Sequence, residues 1–221
     1  MKKMVLLTVL AFLLFSGDQL YGADFGIRGG LNFSSYHLQQ DVWLGNHFKT
    51  SYFVVTLPES YVGFHFGVFT TFSIGNVFVQ PELLYTETGQ QMAVKRHSTN
   101  EMLPRYDYFT PVYSHLKMPL NVGMRFGPLR FGAGPVFSLL LNNTRGHYRI
   151  NDVWDEARFN YRDSTVGYQL MVGLKLGNLK VDFKYEDNLS QFGDGIGVGG
   201  EHFEFDMRPR QYMVSLGIVL F

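Results

Sequence analysis

The chain has 221 residues, a formal net charge of zero and no cysteine. That length suffices for one sizeable domain with a core. The neutral balance gives no nucleic-acid footprint, and the missing cysteine excludes disulfides, zinc–thiolate sites, cysteine nucleophiles and a lipidated N-terminal cysteine.

Met1-Lys-Lys3 is a short positive start, Met4 to Phe15 is apolar, and Ser16 to Gly22 is more polar before Gly22-Ala23. This is the pattern of a secretory signal peptide over residues 1–23. The apolar run is too short for the roughly 20 residues that a spanning helix needs. One domain, residues 24–221, is expected to follow.

Beyond residue 23 there is no convincing helical period. Eight segments alternate with period 2, the spacing of β-strands. Their approximate limits are 24–36, 60–72, 76–88, 112–126, 129–141, 165–177, 178–188 and 210–221. Ser73-Ile-Gly-Asn76, Gly127-Pro128 and Gly177-Asn178 read as tight turns. The other connections, 37–59, 89–111, 142–164 and 189–209, are expected as four long loops at one end. An even number of antiparallel strands with short turns at one end and long loops at the other is the layout of a transmembrane β-barrel.

One parity of every segment carries no charge. The seventh, Asn178 to Glu186, is the clearest: Leu179, Val181, Phe183 and Tyr185 alternate with Lys180, Asp182, Lys184 and Glu186. In a soluble barrel the charged row would face water. The signal peptide and the one-ended long connections favour the reverse, with the apolar rows toward lipid and the charges paired inside. A closed barrel is the only β-structure that satisfies its backbone in hydrocarbon.

The expected interior charge network is Arg28, Glu82, Lys117, Arg125, Arg130, Lys175, Lys180, Asp182, Lys184 and Glu186, an excess of four positives. Ten inward glycines, Gly26 and Gly217 among them, read as room for long cations to lie across the lumen. A wet lumen would be a very narrow, anion-preferring pore. Pro81, Pro119 and Pro135 cannot donate to a ladder, so bulges or breaks are expected there. Phe221 falls on the inward parity.

Ile27-Arg-Gly-Gly-Leu-Asn-Phe33, Phe78-Val-Gln-Pro-Glu-Leu-Leu-Tyr85, Leu116-Lys-Met-Pro-Leu-Asn-Val122 and Gly132-Ala-Gly-Pro-Val136 together resemble the small outer-membrane β-barrel family common in Bacteroidetes, often labelled porin-family or PorT-like. The resemblance covers essentially residues 24–221. It implies an eight-stranded barrel, accounts for the strand prolines, and supplies no catalytic residue or cofactor.

Other chemistry is thinly signalled. The loop histidines His37, His47, His97, His147 and His202 lack recognised metal spacing with Asp152, Asp155, Glu201 or Glu204, so no metal or cofactor is expected. Ser34, Ser35 and His37, or Ser114 and His115, sit where a rim enzyme acting on lipid or peptide would place a nucleophile and base, without a defined motif. Lys95, Arg96, Arg145 and Arg149 are candidate contacts to lipopolysaccharide phosphates. Trp43, Trp154, Tyr106, Tyr108 and Phe109 are candidates for interface anchoring, loop packing or a protein partner. The reading is a non-enzymatic outer-membrane scaffold or loop-mediated binder, with a PorT-like accessory of protein secretion as the first alternative and a rim enzyme as the second.

Overall fold

The computed structural model describes residues 23–38, 42–47, 50–98, 105–110, 112–143, 158–161, 163–190, 193–198 and 201–221. Side-chain detail covers 23–35, 60–89, 91, 110, 112–141, 163–190 and 208–221.

The alternating segments pair as antiparallel neighbours and close on themselves. In chain order the strands are β1 (Ala23–Leu38), β2 (Val42–His47), β3 (Thr50–Ile74), β4 (Val77–Ser98), β5 (Arg105–Phe109) and β6 (Val112–Phe126). They continue as β7 (Leu129–Asn143), β8 (Arg158–Tyr161), β9 (Ser164–Leu176), β10 (Leu179–Asn188), β11 (Gly193–Val198) and β12 (Glu201–Val219). Eight of them form a ring in the order β1, β3, β4, β6, β7, β9, β10, β12, and β12 pairs back to β1. The register Arg28 to Gly217 and Phe33 to Tyr212 seals the cylinder. Closure removes both sheet edges, so every staff of the barrel has two hydrogen-bonding neighbours.

Three turns join the strands at one end, and each is led by a glycine with positive φ: Gly75 at 59°, Gly127 at 60° and Gly177 at 61°. A side chain there would meet its own backbone, which is why glycine marks all three.

The apolar rows face outward. Ile27, Leu31, Phe66, Val122, Phe131, Leu170, Phe183 and Leu216 are each about half exposed, while the alternate row is buried. On β4 the outward row runs from Val77 to Tyr85, about 27 Å along a strand rising ~3.4 Å per residue. At a tilt of about 40° that is roughly 21 Å of height, near the ~25 Å apolar band of a membrane barrel. Tyrosines crown the band at the end away from the turns. Tyr61 donates to Glu87 at 2.7 Å, Tyr85 to Ser114 at 2.8 Å and Tyr185 to Asp187 at 3.0 Å. A ring in the apolar band with a hydroxyl on a polar group beyond it is the geometry of an interface. The chain is therefore an eight-stranded transmembrane β-barrel.

Three expectations change. Three of the four segments expected as long loops, 37–59, 89–111 and 189–209, are largely β-structure, and most of the fourth, 142–164, lies outside the described residues. β3, β4 and β12 run well past the tyrosine crown, β2, β5 and β11 add to their edges, and β8 adds to β11. Stretches such as Tyr52-Phe-Val-Val-Thr56 and Tyr106-Asp-Tyr-Phe109 are rich in β-branched and aromatic residues, and that composition holds an extended strand without a hydrocarbon belt. The prolines give the expected local breaks but no bulge. Pairing passes from Pro81–Leu120 to Leu84–Lys117, and from Pro119–Val136 to Val122–Ala133, with one register. The register shift on β6 and β7 falls instead between Ser114 and His115. Phe221 lies outside, two-thirds exposed and stacked on Phe25 at 5.1 Å. It follows the end of β12, so strand parity no longer fixes its direction.

Candidate functional site, a closed ion network in the lumen

Arg28, Glu82, Arg130, Lys180, Asp182 and Lys184 are each at most 4% exposed, and all sit on β1, β4, β7 and β10, every second staff of the ring. The intervening staves supply glycine beside them. Arg28 is flanked by Gly67 and Gly217. Gly173 lies between Arg130 and Asp182. Long charged chains therefore alternate with open backbone around the circumference, so that they fit in one narrow cross-section.

Strand tilt decides which of them meet. Arg28 pairs laterally with Gly217, and Gly217 with Lys180. The Arg28 guanidinium nevertheless reaches Asp182, two residues further along β10, at 2.7 Å. Its other arm donates to Glu82 at 2.9 Å. Lys184 crosses from β10 to the opposite wall and donates to both oxygens of Glu82, at 2.9 and 2.7 Å. Gln80 Nε2 and Asn121 Nδ2 also donate to Glu82, at 2.7 and 3.3 Å. One carboxylate thus takes four donors, which a charge buried away from water requires.

Arg130 hangs just below, toward the turns. It donates to Gln80 Oε1 at 2.5 Å and approaches Asp182 at 3.5 Å. Lys180 donates to Thr71 at 2.8 Å. Two rings back the cations: Arg28 and Lys180 lie 4.7 and 4.4 Å from the Phe69 centroid, and Arg130 lies 4.7 Å from that of Phe78. Such contacts stabilise a desolvated cation by roughly 2 kcal/mol.

Above the plug the lumen turns neutral. Lys117 pairs with Glu186. His65 stands between Asn32 Oδ1 at 3.0 Å and Ser215 Oγ at 2.8 Å. That arrangement puts the proton on Nδ1 and lets Nε2 accept from the serine hydroxyl. Around them Thr86 Oγ1, Ser138 Oγ, Gln169 Nε2, Glu186 Oε2, Asn188 Oδ1 and Gln211 Oε1 are buried without a protein partner.

Of the ten residues expected in the network, Arg28, Glu82, Asp182 and Lys184 meet in the plug, Arg130 and Lys180 lie beneath it, and Lys117 and Glu186 form a separate pair above. Lys175 sits at the turn-end mouth, where its ammonium and the Asp24 carboxylate are each 27% exposed and 2.6 Å apart. Arg125 stands apart. It donates to the Gly75 carbonyl at 2.8 Å in an exposed bond, because it is the penultimate residue of β6 and the turn offers the nearer acceptor. Asp24 is absent from the sequence-based list. Its inward parity on the first strand was the available signal.

Among the described side chains the rim candidates do not assemble, and the side chain of His37 lies outside that set. Ser34 is buried and bonded to the Gly89 backbone, Ser114 accepts from Tyr85 on the outer face, and His115 points inward, buried. Ser35 is half-buried on the outward parity of β1. Lys95 and Arg96 belong to β4, with side chains outside the described set. Arg145 and Arg149 lie outside the described residues, as do His147 and Trp154. Among the described residues no three His, Asp or Glu side chains converge as metal ligands.

No family model matches the chain, and no curated protein does. Among solved structures, the attachment invasion locus protein Ail of Yersinia pestis, crystallised with the heparin analogue sucrose octasulfate, is 13% identical. The match covers 90% of this chain and 99% of that one, with a TM-score of 0.41. Neisserial surface protein A is 11% identical, with 90% and 100% covered and a TM-score of 0.41. The outer membrane protein AlkL in DMPC bilayers is 15% identical, with 92% and 93% covered and a TM-score of 0.38. The closed ladder described above, rather than these likenesses, carries the architecture.

Proposed function

We propose that this chain is a non-enzymatic outer-membrane protein whose lumen is sealed and whose function lies in the β-structure beyond the membrane. The observation that carries the reading is Lys184 reaching across the barrel to Glu82 while Arg28 ties Glu82 to Asp182. Ion pairs that span the lumen with buried groups leave no through-path, which argues against the anion-preferring pore. The strands β3, β4 and β12, continued past the tyrosine crown and flanked by β2, β5 and β11, give the barrel an extramembrane surface for a ligand or protein partner. The turn end faces the periplasm, residues 1–23 are removed on Sec-type export, and Lys95, Arg96, Arg145 and Arg149 contact lipopolysaccharide phosphates. The test is single-channel recording of the purified barrel in a planar bilayer with insertion verified. A silent bilayer is expected, and a steady anion-selective conductance would sink the sealed-lumen reading.

A second reading, a PorT-like accessory of secretion within the Bacteroidetes family, is favoured by the four short motifs at Ile27–Phe33, Phe78–Tyr85, Leu116–Val122 and Gly132–Val136. It expects a deletion strain to lose secreted proteins, and an unchanged secretome would discard it.

A further inference from the structure

The charges in the lumen are not evenly compensated along its axis. At the plug, Arg28 and Lys184 answer Glu82 and Asp182. Above it, Lys117 answers Glu186. Below it, toward the turns, Arg130, Lys180 and Lys175 share Asp24 as the additional carboxylate among the described residues. Asp24 takes Lys175 at 2.6 Å and Lys180 at 3.2 Å with the same oxygen, Oδ2. The other acceptors there are neutral. Lys180 donates to the Thr71 hydroxyl, Thr71 to Gln80 Oε1, and Arg130 to that same Gln80 oxygen. The contact from Arg130 to Asp182 is long, 3.5 Å, and Asp182 is already committed to Arg28 at 2.7 Å.

Lys180 and Arg130 are fully desolvated, their side chains 0% and 1% exposed. Each such cation costs several kcal/mol unless an anion answers it. Three cations against one carboxylate leave a shortfall of negative charge, and among the described residues it lies directly behind the Lys175–Asp24 mouth that water reaches.

We propose that the turn-end mouth of the lumen binds a small oxyanion, with Lys175, Lys180 and Arg130 as donors and Asp24 as the internal carboxylate with which that anion competes. An oxyanion is the class that fits, because the two lysines already hold a carboxylate oxygen. The plug makes the site one-ended, so it is a binding site and not a conduit. The site rests on the sealed-lumen reading only for that last point.

Calorimetric titration of the folded barrel in detergent, where both mouths are open, tests the site whether or not the lumen conducts. Inorganic phosphate and acetate are the probes, at constant ionic strength in sodium chloride. Saturable binding of either is expected, phosphate alone marking a tetrahedral anion site and acetate alone a carboxylate site. Asp24→Asn should tighten it about tenfold, the worth of roughly 1.4 kcal/mol. Lys175→Gln, at the exposed mouth where folding is not at stake, should weaken it by a similar factor. Absence of saturable heat in both the native protein and Asp24→Asn overturns the site, as does an affinity indifferent to both substitutions. Gel mobility before and after heating confirms that each variant is folded.

Discussion

The two halves of the lumen are built on different terms. Toward the turns the interior is ionic, and its carboxylates are saturated: Glu82 alone takes Arg28, Lys184, Gln80 and Asn121. Toward the far end it is amides and hydroxyls around, among the described residues, the Lys117–Glu186 pair, and Thr86, Ser138, Gln169, Asn188 and Gln211 each leave a buried atom without a protein partner, against Arg28 Nε and Asn121 Oδ1 in the ionic half. A charge that cannot reach water must be fully answered or it destabilises the fold, whereas a buried neutral group tolerates partial answering at about 1–3 kcal/mol. The ionic half is therefore expected to set the stability of the barrel, and the neutral half to be tolerant of change.

Glu82→Gln is the strongest way to break that contrast. It strips the carboxylate that answers both Arg28 and Lys184, and should cost about 3–5 kcal/mol of unfolding free energy in urea titrations from lipid vesicles. A loss below roughly 1 kcal/mol would mean that the plug is already hydrated. Gly173→Ala comes next. An added Cβ would lie 2.0 Å from Asp182 Oδ1, so the carboxylate must leave its place between Arg28 and Arg130, at a cost of about 1–3 kcal/mol by the same assay. Thr86→Val and Ser138→Ala remove hydroxyls that make no protein hydrogen bond, and should each leave stability unchanged or raise it by about 1 kcal/mol. A large loss from either would show that the neutral half is as tightly organised as the ionic one.

Much of this was legible in the chain because a β-barrel repeats one rule. Period 2 separated lipid-facing from lumen-facing residues on all eight staves, and glycine marked the three turns. What parity cannot supply is the stagger between strands. Arg28 meets Asp182 rather than Lys180 because of tilt, and tilt is a property of the closed ring that no single segment reports. Arg125 was misplaced for a related reason: a side chain one residue from a turn can satisfy itself on the turn backbone, whatever its parity. The strands beyond the membrane were hidden because charge interrupts their apolar runs. The prolines interrupt pairing without shifting register, an outcome that depends on what the neighbouring strand presents at each level.

The ties of the plug also bear on how the barrel comes to exist. Arg28 and Asp182 are 154 residues apart in sequence, and Lys184 and Glu82 are 102 apart. Neither tie can form until distant staves have been curled into one cylinder. A half-curled sheet entering a bilayer would present these charges to hydrocarbon unanswered, so partly closed forms are penalised on the inner face and along the open strand edges at once. Membrane entry and the final β1–β12 seam should consequently occur as one cooperative event, and slow formation follows from the long sequence separation of the contacts that make it worthwhile.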